Sequence, residues 1–513
     1  MNEAFALLPG YLAWHVLLSA SALVLGVAIS LPLAVAASRS PRLRWPLLAG
    51  AGLIQTIPSL ALLALFFPLL LAISRLTESV TGHGFSALGF LPSLLALTLY
   101  AVLPILRTAT TGLMGVDPAV REAADGVGMT PRQKLWRVEL PLALPVIMAG
   151  VRTAAVWTIG AATLSTPVGQ TSLGNYIFAG LQTENWIFVL FGCAASAALA
   201  ICADQLLGLM EAGAARRDRR RVIVGGAGLL VGVAVALLPL VSFGKPAGYV
   251  VGAKNFSEQY ILAELIAGRL ERDGAHVGRK EDLGSAVAYR ALAAGEIDVY
   301  VDYSGTLWTN VLGRTDDPGR EAVVAELTTQ LKARDGVVVL GSLGFENAYA
   351  FAMRRDRAAA LGVTSLADLA RLSPRLKLGS DIEFLSRPEW KGVDAAYGFS
   401  FARETSYQPT FMYRALASGD VDVISAFSSD GRIAADDLVV LTDPKGALPP
   451  YDAVVLVSGK RAGDARLLRA LEPLIGRVSV EAMRTANYSV DRDAGKATPA
   501  EAARALESGL RLP

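Results

Sequence analysis

The sequence predicts a membrane-embedded bundle of α-helices followed by a soluble α/β domain of two lobes. Three observations predict it. Of 513 residues, 53% are hydrophobic and only 18% are charged, below the roughly 25% charge of a soluble globular chain. The long apolar runs fall almost entirely within residues 1–243, whereas 244–513 alternates short aliphatic strands with amphipathic helices. Within this second half an eleven-residue segment recurs. The length calls for two or three units. The expected division is a membrane unit at 1–215, a sixth membrane helix and tether at 216–247, and an outer domain at 248–513. One lobe of that domain is expected at 248–343 with 437–513, the other at 344–436.

Six apolar stretches are long enough to cross a bilayer: 12–37, 47–73, 91–113, 141–163, 187–210 and 222–242. Ala34-Val35-Ala36 mimics a signal cleavage site, but no basic residue precedes Arg39 and the run is too long for a signal core, so it reads as a retained helix. Pro58 and Pro68 imply that the second stretch is kinked or split. Basic residues set the orientation. Arg39, Arg42 and Arg44 lie in 38–46, four more (Arg121, Arg132, Lys134, Arg137) in 114–140, and five arginines in 216–221. The alternate loops carry only Arg75 at 74–90 and no basic residue at 164–186. The basic segments are therefore cytoplasmic, and an even number of spans delivers the second half outside. Arg152 in the fourth span and Asp204 in the fifth are expected to pair. Gln55 and Thr56 are weaker pore-lining candidates, and 165–186, with Pro167, Gly169 and Gly174, is a candidate outer gate.

Composition excludes several classes. A net charge of +2 does not support nucleic-acid binding. Cys193 and Cys202 share one apolar run, and His15, His83 and His276 are scattered, so no metal site is expected. One histidine in the outer half leaves little for acid–base catalysis.

The cytoplasmic loop carries the first motif. Asp117-Pro118 forms an N-cap and first-turn pair, so a short helix is expected from 118, stopped by Gly126 and Gly128. Small Ala123 and Ala124 would let it seat closely in a partner's groove. Glu122-Ala123-Ala124, Gly128 and, after nine intervening residues, Val138-Glu139-Leu140-Pro141 resemble the cytoplasmic loop of ATP-binding-cassette importer permeases. The resemblance implies a MetI-like helical permease, paired as a homodimer, whose loop docks on a separate cytosolic ATPase. The sequence has no Gly-x-x-x-x-Gly-Lys-Ser/Thr loop, so ATP and Mg belong to that partner and no cofactor to this chain.

In the outer half, a helix is expected over Ser257–Asp273, ended by Gly274. The repeat runs Tyr289-Arg-Ala-Leu-Ala-Ala-Gly295-Glu-Ile-Asp298-Val and again Tyr413-Arg-Ala-Leu-Ala-Ser-Gly419-Asp-Val-Asp422-Val, offset by 124 residues. Each copy reads as a helix end, a Gly stop and a buried strand. Extending both strands equally reaches Tyr303 and Phe427. Open α/β sheets bind ligands beyond the carboxyl ends of their strands, so two lobes closing on one ligand are expected.

The segments 252–259, 300–306, 344–350, 379–388 and 445–452 together resemble the osmoprotectant (betaine/choline-type) substrate-binding proteins, over nearly all of 248–513. The resemblance implies a periplasmic-binding-protein-like fold outside the inner membrane, fused to the permease of the same system. It also implies a site. Tyr303, Tyr349, Phe427 and Tyr451 match the aromatics that box a methylated nitrogen, while Lys254, Thr306 and Arg387 match the groups that hold a carboxylate. Phe427 often corresponds to Tyr and Asn347 to an acidic residue in betaine binders of this type. Phe keeps the π face, and Asn keeps a polar contact but removes a charge. The implied cargo is a quaternary-ammonium solute: glycine betaine or a related betaine, or else choline, carnitine or ergothioneine. A membrane-tethered sensor is the alternative of another class, and it would need a cytosolic signalling domain larger than 114–140.

Overall fold

A computed structural model describes residues 2–81, 85, 87–182, 185–242, 248–314, 316, 318–381, 384–492 and 495–510. His83, the tether at 243–247 and the Ile382-Glu383 pair of the fourth quoted segment lie outside the described residues, as does the side chain of Arg75. The chain divides into two compact units, 1–178 with 186–244, and 245–513 with 179–185.

The first unit is helical: α1 (Asn2–Arg39), α2 (Pro41–Thr56), α3 (Ser59–Thr81), α4 (Phe90–Met114), α5 (Pro118–Gly126), α6 (Pro131–Lys134), α7 (Leu140–Ala162), α8 (Gly174–Gln182), α9 (Trp186–Arg216) and α10 (Arg219–Ser242). Among the described residues, six helical runs are long and apolar enough to span a bilayer. The second span is Ser59–Thr81 and not 47–73. Pro58 has no N–H to give and crowds the preceding turn, so the apolar stretch breaks there. Residues 47–56 belong to the separate α2, while Pro68 sits inside α3 without ending it. Gln55 donates to the Tyr100 carbonyl at 3.1 Å and Thr56 to the Leu53 carbonyl at 2.7 Å, so both candidate pore residues are tied to backbone.

Lipid offers helices no hydrophobic drive to associate, so contact depends on close packing. A Cβ on Gly150 of α7 would overlap Thr108 of α4, and one on Gly26 of α1 would press on Ala101 of α4. Arg152 of α7 pairs with Asp204 of α9, Nη2 to Oδ2 2.7 Å, and reaches Glu211 one helical stretch further at 3.4 Å. Arg39 at the end of α1 and Arg121 of α5 both approach Glu139, at 3.8 and 3.5 Å. Two of the basic segments therefore meet at the same end of the bundle. At the other end, His15 joins three segments: Nε2 donates to the Ile159 carbonyl at 3.0 Å and Nδ1 accepts from the Leu173 amide at 3.3 Å.

The cytoplasmic loop forms the expected helix. The Asp117 side chain caps α5 by accepting from the Ala119 amide at 2.8 Å, and Gly128 turns the chain at φ +76°. Thr130 and Gln133 form a reciprocal cap on α6, which runs through a wide turn at Leu135–Glu139 into α7. Glu122, Ala123, Gly128 and Pro141 are exposed, whereas Ala124 is buried and Leu140 packs on the helical core. Only Ala123 of the alanine pair faces outward, because neighbouring positions on a helix point about 100° apart.

The second unit contains two five-stranded sheets. Its strands are β1 (Tyr249–Lys254), β2 (Val277–Leu283), β3 (Val299–Tyr303), β4 (Val338–Glu346), β5 (Tyr349–Arg354), β6 (Lys377–Asp381), β7 (Arg403–Tyr407), β8 (Val423–Phe427), β9 (Leu438–Val440) and β10 (Asp452–Val457). The orders are β2-β1-β3-β10-β4 and β7-β6-β8-β5-β9. The repeat is explained by this topology. β3 and β8 occupy the same central place, each parallel to one neighbour and antiparallel to the other. Each follows a helix, Ser285–Ala293 or Pro409–Ser418, and a left-handed glycine, Gly295 (φ +67°) or Gly419 (φ +80°). The chain crosses between sheets after Glu346 and again between Val440 and Asp452. β9 pairs with β5, so the second lobe extends past residue 436, and β4 carries the first lobe to 346 and not 343.

Arg152→Leu would leave Asp204 and Glu211 in the bundle without their cation. The purified protein is expected to lose stability on the order of 1 kcal/mol or more, between the values for exposed and buried pairs. A thermal melt in detergent checks this, and an unmoved melting temperature would remove the structural role of the pair.

Candidate ligand site between the two lobes

Both repeat strands end at the cleft. β3 stops at Tyr303 and β8 at Phe427, and between them lies a cavity of about 270 Å³. All eight residues expected at the site line it: Tyr303, Tyr349, Phe427, Tyr451, Lys254, Thr306, Arg387 and Asn347. They come from both lobes and from the crossings between them.

The aromatics stand in two groups. Tyr349 and Phe427 are direct cross-strand partners of β5 and β8, their rings 5.0 Å apart, and Tyr451 meets Tyr349 edge-on at 5.6 Å. Phe384 backs Tyr349 at 4.7 Å. Tyr303 instead stacks on Phe256 across the cavity wall, at 6.1 Å. Gly305 is required beside them, because a Cβ there would overlap the Tyr451 ring. The phenol of Tyr451 donates to Glu389, which also accepts from Thr309 at 3.1 Å. Burial and Glu389 together hold the Tyr451 hydroxyl well above its ordinary pKa, so it stays a neutral donor.

The cations are not placed alike. Arg387 lies over the Tyr349 ring, 5.5 Å from its centre, with Nη1 3.5 Å from Glu389. Lys254, expected to meet a ligand carboxylate, gives its ammonium to Asp302, and both side chains are buried. A buried charge without a partner is costly, so this pair is already satisfied within the protein. Thr306 is buried at the cavity wall.

At the centre is a residue that sequence reasoning passed over. Glu258, at the start of the helix α11 (Ser257–Arg272), is 3% exposed. Its Oε1 accepts from the Tyr303 hydroxyl at 2.5 Å and from Asn347 Nδ2 at 3.1 Å; its Oε2 accepts from the Ser429 hydroxyl at 2.6 Å and from Asn487 Nδ2 at 2.9 Å. Burial pushes its pKa up while these four donors pull it down, and burial prevails. Beyond it the cavity turns polar. Arg432 forks onto Asp430, 2.8 Å from Nη2 to Oδ2, and stacks over Tyr413. Asp491 accepts from Ser257 at 2.5 Å and is pushed by burial to a pKa of about 6.

Glu258 and Phe256 lie within the 252–259 segment and Asp430 closely follows Phe427, so their neighbourhood is visible in the sequence. Asn487 and Asp491 lie on the helix Val480–Asp491, more than 200 residues from Glu258, and no local pattern marks them.

The chain matches two family models. Residues 248–506 match the substrate-binding domain of the ABC-type glycine betaine transport system, and 26–216 match the inner-membrane component of binding-protein-dependent transport systems. It is 31% identical over 490 residues to the ergothioneine transport permease/ergothioneine binding protein EgtU of Helicobacter pylori (strain G27), covering 91% of this chain and 84% of the relative. It is 40% identical over 197 residues to the choline transport system permease protein OpuBB of Bacillus subtilis (strain 168), covering 38% of this chain and 83% of the relative. A solved glycine betaine/carnitine/choline ABC transporter aligns with 51% of this chain and 98% of its own, at 28% identity and a TM-score of 0.45. The chain thus belongs to the glycine betaine/osmoprotectant-type ABC importers, with the membrane permease and the extracytoplasmic binding domain carried on one polypeptide.

Proposed function

We propose that the binding domain captures a small trimethylammonium compound, a betaine first of all, and that the permease passes it inward on energy from a separate cytosolic ABC ATPase. One observation carries the reading: aromatic faces and a saturated buried carboxylate share one cavity. A fully methylated nitrogen donates no hydrogen bond, so it gains most from π faces, at roughly 0.5–2 kcal/mol each. Tyr303, Tyr349, Phe427 and Tyr451 supply such faces. Glu258 accepts four hydrogen bonds from the protein itself. It therefore offers negative field without asking the ligand for a donor. Its charge makes good the acidic group that Asn347 does not supply.

Arg387 and Thr306 are the groups for the ligand carboxylate, with Lys254 acting through Asp302 as part of the wall. Glycine betaine, carnitine and ergothioneine all combine a trimethylammonium with a carboxylate; choline lacks the carboxylate and offers Arg387 no anion. The lobes close on the ligand by bending at the two crossings. Tethering holds the binding domain near the pore at about millimolar effective concentration. The loop with Glu122, Ala123 and Gly128 is the docking element for the ATPase, which binds ATP and Mg, and the permease works as a homodimer.

Alanine at both Tyr303 and Tyr451 is expected to lower affinity for every onium ligand at least about tenfold, from the loss of two cation–π faces. Calorimetry on the full-length protein in nanodiscs reads this, and unchanged affinities would end the cage assignment. Glu122→Trp should abolish uptake in cells while ligand binding by the purified protein persists; surviving uptake would remove the loop from coupling.

Onium affinity is also expected to fall as the pH drops from 8 through about 6, the value to which burial pushes Asp491. The sign follows from the carboxyls. Glu258 and Asp491 both have raised pKa values, so acid neutralises them and weakens the field that holds a cation. An affinity flat over this range would contradict an electrostatic role for either group.

A further inference from the structure

The last two spans do not pack evenly along their length. α9 and α10 form a hairpin whose turn carries the arginines at 216–221, and this end is cytoplasmic by the orientation that the basic segments set. Near the turn the two helices touch. A Cβ on Gly213 would press on Val222, one on Gly225 would overlap the Leu206 carbonyl and Met210, and one on Gly228 would press on Leu206. One turn further out, a Cβ on Gly232 would meet nothing within 4 Å. The helices therefore splay from the middle of the span toward the outer face. The gap is a cavity of about 590 Å³ bounded by α1, α7, α9 and α10. On α10 it reaches from Gly228 to Pro239, about 17 Å at a helical rise of about 1.5 Å per residue. Half of a bilayer's hydrocarbon core is roughly 15 Å deep. Pro9, Cys202, Gly232 and Val235 are exposed along the gap, so it is an open crevice and not a sealed void.

The lining asks for no hydrogen bond. Among the described residues that line the crevice, Ser19 alone has a hydroxyl, and that hydroxyl donates to the His15 carbonyl at 2.8 Å. Water needs two or more polar partners to stay in such a place, and an unfilled gap forfeits the dispersion contacts of every side chain on its wall. An apolar cavity of roughly 150 Å³ takes up benzene, and this one is about four times larger and drawn out along the spans. A helix from a second copy would cross all of the roughly 30 Å of hydrocarbon. In the inner half it would find α9 and α10 already closed on one another. We propose that the crevice is a lipid site: one acyl chain of an outer-leaflet phospholipid runs down it from headgroup level to the middle of the bilayer. On one side of the chain stand α7 and α9, within the region 26–216 that matches the permease family. On the other stands α10, which lies beyond that region and leads into the binding domain. The lipid fills the wedge between the permease and the helix that anchors the binding domain. The site is distinct from the ligand cavity and does not depend on what that cavity holds.

Native mass spectrometry of the full-length protein, purified with its membrane lipids, tests the site. One phospholipid is expected to stay on each chain after the detergent is stripped away. Gly232→Leu places a side chain in the open gap and should cause loss of that lipid. Gly160→Leu makes the same change on α7, where a Cβ also meets nothing within 4 Å but lies outside the crevice, and should keep it. No lipid on the unmodified protein, or equal retention by the two variants, would overturn the site. A lipid-free dimer that Gly232→Leu converts to monomers would also overturn it, in favour of a second copy's helix. A second measurement needs no substitution. In nanodiscs of phosphatidylcholine with brominated acyl chains, a cryo-electron-microscopy map of the unmodified protein should show bromine signal between α9 and α10 in the outer half of the bilayer. Its absence there would overturn the proposal even if Gly232→Leu does not fold.

Discussion

The carboxylate of Glu258 is the interaction on which the binding domain turns. It is buried, and an ionised buried group needs every lone pair met. Its four donors come from four places: the end of β3, the first crossing, the loop after β8 and the helix Val480–Asp491. Satisfying one side chain thus requires both lobes and the segment that joins them. The same contacts orient Tyr303, whose ring belongs to the cavity wall, and the amides of Asn347 and Asn487. Charge and lobe contact are thus one arrangement and not two.

The surrounding charges follow the same logic. Lys254 with Asp302, Arg387 beside Glu389, and Arg432 with Asp430 each set a cation against an anion inside the protein. Glu258, by contrast, is met among the described residues by four neutral donors. Such a wall suits a permanently charged nitrogen of the kind proposed as cargo. Hydrogen bonding cannot select such a group, but a field and a set of π faces can.

The permease answers to a different solvent. Water is absent from the bilayer core, so its helices meet through glycine and through paired charges. Gly150 against Thr108 and Arg152 between Asp204 and Glu211 are two instances. Its cytoplasmic loop is built the opposite way. Asp117, Thr130 and Gln133 cap short helices, and Glu122 and Ala123 stay exposed on a surface that the bundle itself does not cover.

Much was legible from residues alone because it depends on local periodicity. Apolar run length marks membrane spans, basic residues orient them, and the repeat at Tyr289 and Tyr413 marks two equivalent strands; each is a property of neighbours in the chain. Pro58 signalled a break, but where the second span began depended on which side of the proline the helix resumed. The residues expected to form the cage were legible as a family pattern, and they line one cavity. What only the tertiary structure decided was the pairing of charges. Lys254 carries the same formal charge wherever it lies, and only the distance to Asp302 shows that it is already met. Asn487 is one polar residue on an amphipathic helix until folding brings it to Glu258 across more than 200 residues. Electrostatics and hydrogen bonding act through space, so a one-dimensional pattern holds the groups but not their partners.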